Sequence, residues 1–345
     1  MTRRPTVVEV ADRAGVSIAS VSRVLNGKSA RSDTEDRVRA AVADLGYLPD
    51  SRGRALKLGS TLQVAFAVDD VGNPVYTEML QGVEEGMSGS GARLLVASTG
   101  HDLGDLVALV ASLSRGYADA LVISPLRRSP ELVQALVDAP VPVVVVGDVG
   151  EGTPLDTVRT DSRQGVVIAH EHLRQTGRRR IAFVNGPTDT APGRARRDGY
   201  EQACAAALSE GQSSAYGMVE ASDFSVGAGE KAWAELQTRG SGRRPDAVIA
   251  ANDLLAFGVM RAALSAGLRI PGQLGVVGID DTQFARVFSP SLTSVSLGAR
   301  ERGRIAARLL LERLEAPTTP PRVERVEPVL VVRESSARAT SNARR

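Results

Sequence analysis

The chain of 345 residues has few of the side chains that form covalent cross-links or metal sites, since it contains one cysteine, Cys204, and three histidines. A single cysteine excludes a disulfide framework and a thiolate metal cluster. His170 and His172 are two residues apart on a predicted helix, so they face different directions and cannot share a metal ion. His101 stands alone in a predicted loop. We therefore expect no metal site and no cofactor.

Long apolar runs and targeting signals are also missing. No stretch approaches the roughly 20 continuous apolar residues that a membrane-spanning helix needs. Met1 to Pro5 lead directly into a predicted amphipathic helix, so no secretory signal peptide is expected. These absences predict a cytoplasmic protein without a membrane partner.

Common catalytic motifs are absent as well. The chain has no P-loop, no G-x-S-x-G elbow and no G-x-G-x-x-G motif after its first predicted strand. We expect no catalytic residues and therefore no enzymatic activity.

Charge is distributed unevenly along the chain. Residues 1–60 contain 11 Lys or Arg and 7 Asp or Glu, whereas the remaining residues contain 31 and 33. A basic segment ahead of a slightly acidic one indicates a polyanionic partner for the first segment only.

The basic segment has the pattern of three short helices with a tight turn between the first two. Thr6 and Glu9 form a capping box at the first helix, and Gly15 permits a left-handed turn. Ser17 is placed to cap the second helix. The inner face of that helix is apolar, which leaves four residues on its outer face: Ile18, Ala19, Ser22 and Arg23. A short, outward-facing helix held across a preceding one fits the major groove of DNA.

After residue 61 the pattern changes to short apolar strands that alternate with amphipathic helices. Seven strands are predicted, at 62–68, 93–97, 120–124, 141–146, 181–185, 247–251 and 275–279. This alternation predicts doubly wound parallel sheets. About 270 residues are too many for one such sheet, so we expect two similar subdomains with a cleft between them.

Polar residues follow several of these strands directly. They lie in six segments: Asp69–Pro74, Ser124–Leu126, Gly147–Asp148, Gly186–Arg196, Asn252–Asp253 and Asp280–Asp281. Each segment alone is explained by capping of the following helix. Ligands of open parallel sheets bind at the carboxyl ends of the strands, so six such loops together indicate a small-molecule site.

Several long motifs occur together in one order. They are VADRAGVSIASVSRVLNG (Val10–Gly27), YLPDSRGRALKLGST (Tyr47–Thr61), DDVGNPVYTEMLQGVEEG (Asp69–Gly86), GRRRIAFVNGP (Gly177–Pro187), RARRDGYEQA (Arg194–Ala203), PDAVIAANDLLAFG (Pro245–Gly258) and GVVGIDD (Gly275–Asp281). Through these motifs the chain resembles LacI/GalR-type transcriptional regulators from Thr6 to about Arg333.

The resemblance implies an N-terminal all-α helix-turn-helix domain, joined by a hinge to an α/β domain like the periplasmic binding proteins. That larger domain would consist of two doubly wound parallel-sheet subdomains. We assign residues 1–48 to the helix-turn-helix domain, 49–61 to the hinge and 62–334 to the effector-binding and dimerisation domain. Residues 335–345 are polar and without periodicity, and we expect a disordered tail there.

The resemblance also implies a homodimer, or a tetramer, whose paired helix-turn-helix units bind a pseudo-palindromic double-stranded operator. The expected DNA-binding residues are Thr6, Ser17, Ile18, Ala19, Ser22, Arg23, Asn26, Arg54 and Leu56. Arg23 is the best candidate for a guanine or phosphate contact. Leu56 matches the hinge leucine that unstacks a base step in the minor groove, but Gly53 stands where the family usually has Ala, which disfavours a hinge helix.

For the small-molecule site the resemblance implies a controlling effector. The expected effector-binding residues are Asn73, Tyr76, Ser124, Arg196, Phe224, Asn252 and Asp280. An Asp, Arg and Asn set suits vicinal hydroxyls, and an aromatic ring suits the apolar face of a pyranose. A sugar is therefore the leading interpretation over a nucleobase or other metabolite.

Two other functions remain open at this stage. A sugar receptor of the periplasmic type would have a similar two-lobed fold but no use for residues 1–60. An architectural DNA-binding protein would keep the helix-turn-helix but bind no effector. Even for a repressor, the sequence does not distinguish an inducer from a corepressor.

Overall fold

The computed structural model describes residues 6–25, 31–45, 61–100, 102–211, 215–239 and 244–337. Its first two ranges contain three helices, α1 (Val7–Ala14), α2 (Ile18–Leu25) and α3 (Ser32–Leu45). Their apolar faces form a small core of Val10, Ala11, Ala14, Val21, Val24, Val38 and Ala41. Gly15 adopts a left-handed conformation, with φ of 63°, which makes the predicted turn between α1 and α2 possible.

The rest of the described chain forms two lobes, each built on a six-stranded sheet. The strands of the first lobe are β1 (Gln63–Val68), β2 (Arg93–Ser98), β3 (Ala120–Ser124), β4 (Val143–Val146), β5 (Asp156–Thr160) and β11 (Val323–Val326), in the order β11-β5-β4-β3-β1-β2. All pairs in this sheet are parallel. Its helices are α4 (Pro74–Gly86), α5 (Leu103–Ser112), α6 (Pro130–Val137) and α12 (Ala299–Glu315).

The second lobe repeats this arrangement. Its strands are β6 (Ile181–Asn185), β7 (Ala215–Glu220), β8 (Ala247–Ala250), β9 (Gly275–Ile279), β10 (Thr293–Ser296) and β12 (Val329–Val331), in the order β12-β10-β9-β8-β6-β7. Its helices are α7 (Ser162–Gln175), α8 (Ala191–Ser209), α9 (Val226–Arg239), α10 (Asp253–Ser265) and the short α11 (Phe284–Val287). Trp233 is fully buried on α9.

The chain crosses between the lobes three times. The crossings join β5 to α7, β10 to α12, and β11 to β12. As a result, α12 follows a strand of the second lobe but packs in the first lobe against α4. The backbones of these two helices lie close together, because a Cβ atom at Gly303 would be 2.1 Å from the carbonyl oxygen of Met79.

The predicted fold class is confirmed, with several corrections to its details. The edge strand β12 pairs antiparallel with β10, although both sheets were expected to be parallel throughout. Five strands and the helices α11 and α12 are absent from the sequence-based prediction. No described helix has the length and apolar character that crossing a membrane requires.

The start of the predicted disordered tail is also wrong. Ser335 and Ser336 are fully buried in the second lobe. The Ser335 hydroxyl donates to the carbonyl oxygen of Val276 at 2.6 Å and accepts from the amide of Thr293 at 2.8 Å. These bonds make burial of a polar segment favourable, and composition alone does not reveal them. Residues 338–345 lie outside the described residues.

Candidate functional site

A cavity of about 330 Å³ lies between the two lobes. All seven residues that the sequence nominates for effector binding line it: Asn73, Tyr76, Ser124, Arg196, Phe224, Asn252 and Asp280. They come from both lobes and lie at or beyond the carboxyl ends of six different strands: β1, β3, β6, β7, β8 and β9. They converge because the carboxyl ends of parallel strands meet at one edge of each sheet.

Two of these residues also cap helices, as the simpler interpretation of the polar loops predicts. The Asn73 side chain accepts from the amide of Val75 at 3.2 Å, at the start of α4. The Asn252 side chain accepts from the amide of Leu255 at 2.9 Å, at the start of α10. Capping therefore explains why each Asn follows its strand, and it also fixes the orientation of each side chain at the cavity.

Arg196 and Asp280 form a buried ion pair in the cavity. Arg196 lies on α8, and its Nη2 atom is 3.7 Å from Asp280 Oδ1. Its Nη1 atom donates to the carbonyl oxygen of Ala251 at 2.6 Å. These contacts hold the guanidinium in place between β8 and β9.

The backbone at Asp280 has an unusual conformation that helps to place its carboxylate. Asp280 and Asp281 have φ angles of 111° and 54°, which few residues other than glycine adopt. The amide of Asp280 donates to the carbonyl oxygen of Val295, and Arg333 donates to the Asp281 carboxylate at 2.6 Å. These contacts offset the backbone strain at Asp280 and Asp281. Backbone strain of this kind is typical of functional sites.

Burial changes the acidity of several groups at the cavity. It raises the pKa of Asp280 to about 6, against the opposing effect of Arg196 and Arg302. Burial and the nearby Asp69 and Asp280 raise the pKa of Tyr76, so its phenol stays protonated and can donate a hydrogen bond. Burial lowers the pKa of Arg302 to about 10, which still leaves the guanidinium charged at neutral pH.

Phe224 lies against the backbone that follows β6. A Cβ atom at Gly186 would be 2.1 Å from the Phe224 ring, so only a glycine allows this close approach. The carbonyl oxygen of Phe224 accepts from the Asn252 side chain at 3.1 Å. The ring is therefore fixed as one wall of the cavity.

Several charged residues at the cavity are missing from the sequence-based list: Arg159, Asp161, Arg302 and Arg325. Arg159 Nη1 is 3.5 Å from Asp148 Oδ1, and Asp161 caps α7 by accepting from the amide of Gln164 at 2.9 Å. Arg159 lies on β5, Arg325 on β11 and Arg302 on α12, and the pattern of apolar residues reveals none of these three elements. Asp161 directly follows β5. No local sequence signal identifies them.

The first helices carry the other candidate site. The predicted capping box is present, because Thr6 and Glu9 exchange backbone-to-side-chain hydrogen bonds. The Ser17 hydroxyl accepts from the amide of Ser20 at 3.1 Å, at the start of α2. The outer face of α2 is exposed at Ile18, Ala19, Ser22 and Arg23. The predicted residues Asn26, Arg54 and Leu56 lie outside the described residues.

Neither site has a metal-binding cluster among the residues that the structure describes. Across the described ranges, no group of three or more His, Cys, Asp or Glu side chains could hold a metal ion. His172 contacts the hydroxyl of Ser336 at 2.7 Å, and His170 lies 4.0 Å from the sulfur of Cys204.

Family models match both parts of the chain. Residues 6–50 match the model described as bacterial regulatory proteins, lacI family, and residues 170–336 match the periplasmic binding protein-like domain. The transcriptional regulator CelR of Thermobifida fusca is 35% identical over 342 residues, covering 96% of this chain and 98% of the relative. The ribose operon repressor of Escherichia coli is 30% identical over 335 residues, covering 96% and 99%.

Solved structures show the same architecture. A complex of the regulator CelR with cellobiose has a TM-score of 0.69 at 32% identity, covering 96% of this chain and all of that one. A lac repressor dimer bound to operator and an anti-inducer has a TM-score of 0.70 at 25% identity, covering 97% of this chain and 99% of that one.

Proposed function

This chain belongs to the LacI family of bacterial regulatory proteins, and we propose that its effector is a sugar bound in the cavity between the lobes. The protein is a DNA-binding transcriptional repressor, and a small molecule controls its affinity for the operator. It is a regulator and not an enzyme. A periplasmic-type receptor is thereby excluded, since its function would leave α1–α3 without a role.

One observation carries the proposal of a sugar. The cavity brings together the Arg196–Asp280 pair, the Asn252 amide and the ring of Phe224. Each polar group can exchange hydrogen bonds with neighbouring hydroxyls, and the ring offers an apolar surface to a pyranose face. The names of two similar regulators point the same way, because one is bound to cellobiose and another regulates a ribose operon.

The DNA-binding part of the proposal places α2 in the major groove. Its exposed residues Ile18, Ala19, Ser22 and Arg23 would face the bases and phosphates, while Thr6 and Ser17 hold the ends of α1 and α2. We further propose that Asn26, Arg54 and Leu56 contact DNA, with a hinge at 49–61. The two half-sites of a pseudo-palindrome require a dimer, as in the lac repressor complex. Because bacterial operator DNA lies in the cytoplasm, we propose that the protein acts there.

The three chain crossings suggest how the cavity and the DNA-binding helices communicate. Asp161, Leu297 and Arg325 lie at or beside the crossings and line the cavity. A ligand that closes the cavity would rotate one lobe against the other at these points. The ligand can change operator affinity only if it binds the two arrangements of the lobes, open and closed, with different affinity. The same cavity residues would bind the ligand whether it weakens operator binding, as an inducer does, or strengthens it, as a corepressor does.

Calorimetry with the full chain tests the sugar proposal. Neutral hexoses, ribose, lactose, cellobiose and acidic sugars are titrated into the wild-type protein and into Phe224→Ala. At least one sugar should bind to the wild type, and loss of the stacking ring should weaken that binding. Silence from every sugar, including acidic ones, would contradict the proposal and favour a regulator that responds to another class of metabolite.

A further inference from the structure

Two buried guanidiniums share one carboxylate in the cavity. Arg196 and Arg302 are 6% and 8% exposed, and both act electrostatically on Asp280, which is 6% exposed. The Arg196 Nη2 atom is within ion-pair distance of Asp280. These three side chains together therefore carry one surplus positive charge when Asp280 is ionised, and two when it is protonated.

Arg302 lacks the partners that a buried cation normally has. Its Nε atom is fully buried and has no hydrogen-bond partner among the described residues. The Nε atom of Arg196 is likewise buried and has no hydrogen-bond partner among the described residues. A buried charge without compensation is strongly unfavourable, so natural proteins rarely keep one unless it has a function.

The other carboxylates near these groups have partners of their own. The buried Asp253, which also acts electrostatically on Arg196, accepts hydrogen bonds from Thr282 and Ser294. Asp148 is 3.5 Å from Arg159 and 3.8 Å from Arg128. Asp161 accepts the hydrogen bond that caps α7. A further cation, Arg325, also lines the cavity.

The helices add to the positive potential. The first residues of α4, α7, α8 and α10, or the residues that cap them, line the cavity. The amino-terminal end of a helix carries a partial positive charge and favours an anion. The caps of α4 and α10 are the neutral residues Asn73 and Asn252, so they leave that partial charge in place.

We propose that the effector is an acidic sugar, whose anionic oxygens are bound by Arg302 together with Arg196. Arg302 comes from the first lobe and Arg196 from the second, so one anionic group bound by both would join the lobes. The chemistry fits a uronate carboxylate or a sugar phosphate, because a guanidinium binds either group through paired N–H donors. This inference rests on the proposed sugar-binding function and specifies the class of sugar.

Matched pairs of ligands test the inference in the full-length protein. Calorimetry compares glucose with glucuronate, galactose with galacturonate, and glucose with glucose 6-phosphate. We expect one acidic member to bind about 10- to 100-fold more tightly than its neutral partner, as for hydrogen bonds to charged groups. Comparison of the uronates with glucose 6-phosphate shows whether the cavity prefers a carboxylate or a phosphate.

Substitutions of Arg302 assign the preference to this side chain. Arg302→Met removes the charge at similar length and should abolish the preference for the acidic member, while Arg302→Lys should keep part of it. Arg304→Met is the matched control, because Arg304 lies two residues away on α12 with a side chain that is 48% exposed and paired with Glu301. This control should keep the full preference.

Thermal unfolding without ligand provides an independent measurement. If Arg302 serves the ligand, the ligand-free Arg302→Met protein should unfold at the same temperature as the wild type or at a higher one. A fall of several degrees would instead show that Arg302 is a structural partner of Asp280, and would overturn the inference.

The binding results separate failure of this inference from failure of the proposed function. Equal or tighter binding of neutral sugars, or a preference that survives Arg302→Met, would overturn the acidic sugar but leave the sugar-binding function intact. Absence of binding by every neutral and acidic sugar would overturn both.

Discussion

Arg196 and Asp280 face each other in the cavity at 3.7 Å, with both side chains almost fully buried. Arg196 comes from α8, and Asp280 comes from the loop after β9. The backbone of Asp280 is held at a positive φ, which fixes the carboxylate toward the guanidinium. This pair joins distant parts of the second lobe, so its loss should affect both stability and ligand response.

Arg196→Ala should abolish the response to effector while leaving operator binding close to that of the wild type. Arg196 is within ion-pair distance of Asp280 and also donates to Ala251, so its loss leaves the buried carboxylate with only the electrostatic effect of Arg302, and the free energy of unfolding should also fall by about 3–5 kcal/mol. Arg197→Ala is the control, because Arg197 is more exposed and pairs with the surface carboxylates of Asp198 and Glu201. Calorimetry measures the effector affinity, and urea unfolding measures the free energy of unfolding. An Arg196→Ala protein with unchanged effector affinity would show that the assigned cavity is wrong.

Arg23→Ala should have the opposite effect, with weaker operator binding and unchanged effector affinity. Arg23 is exposed on α2, where its guanidinium can donate to a guanine edge or a phosphate. Loss of such a contact reduces binding by about 1–3 kcal/mol. Fluorescence anisotropy with labelled operator measures the change. Arg39→Ala on α3 is the control, since Arg39 pairs with Glu35 on the surface. Equal losses in the two variants would argue against α2 as the reading helix.

Gly303→Ala should destabilise the first lobe, because a Cβ atom there would lie 2.1 Å from the carbonyl oxygen of Met79 on α4. Overpacking of this kind costs about 1–3 kcal/mol. Gly227→Ala on α9 has open space around it, with its nearest neighbour at 3.9 Å, and should be neutral or slightly stabilising. Urea unfolding compares the two proteins with the wild type. If both variants behave alike, α4 and α12 do not pack as closely as described.

The buried His170 should make the protein less stable in acid. Burial, with a smaller effect of Arg174, lowers its pKa from 6.5 to about 4. Between these values the unfolded chain binds more protons than the folded one, so the free energy of unfolding falls as the pH drops from about 6.5 toward 4. The slope of this effect reaches about 1.4 kcal/mol per pH unit. His170→Gln should flatten the curve in this window, measured by urea unfolding at several pH values. If the free energies of unfolding of the wild type and of His170→Gln change with pH in the same way, His170 is not the source of the acid sensitivity.

Much of the fold could be predicted because its core strands are apolar throughout. The central strands β1, β3, β4, β6, β8 and β9 are short and almost entirely buried, and each gives a clear apolar run. Five of the seven expected effector-binding residues lie in the polar segments predicted at the ends of strands, and the structure brings all seven to one cavity. General rules on parallel sheets predict where the site lies, whereas the individual residues, including Tyr76 and Phe224, are those that the family resemblance implies.

Two of the missed strands, β5 and β10, contain buried polar residues whose partners are distant in sequence. Asp156 on β5 is fully buried because Arg313 and Arg322 pair with it. Ser294 on β10 is buried because its hydroxyl donates to the Asp253 carboxylate at 2.5 Å. Such partners are separated by more than 40 residues, so a local pattern of apolar residues cannot reveal them.

Helix α12 was missed for a different reason. Its sequence is rich in Arg and Glu, and these charges obscure the apolar stripe of Ile305, Leu309 and Leu310 that packs in the first lobe. Arg302, the cation on which the acidic-sugar inference depends, was missed together with this helix.

The most direct test of the account is the affinity of the full-length protein for its operator with and without a bound sugar. Genomic fragments selected by the protein supply the operator, and fluorescence anisotropy gives its dissociation constant alone and with each sugar that binds by calorimetry. We predict clear selection over random duplex and a change of about 5- to 150-fold on addition of the sugar. An unchanged dissociation constant at saturating sugar, or no preference over random duplex, would contradict the central claim that the cavity controls DNA binding.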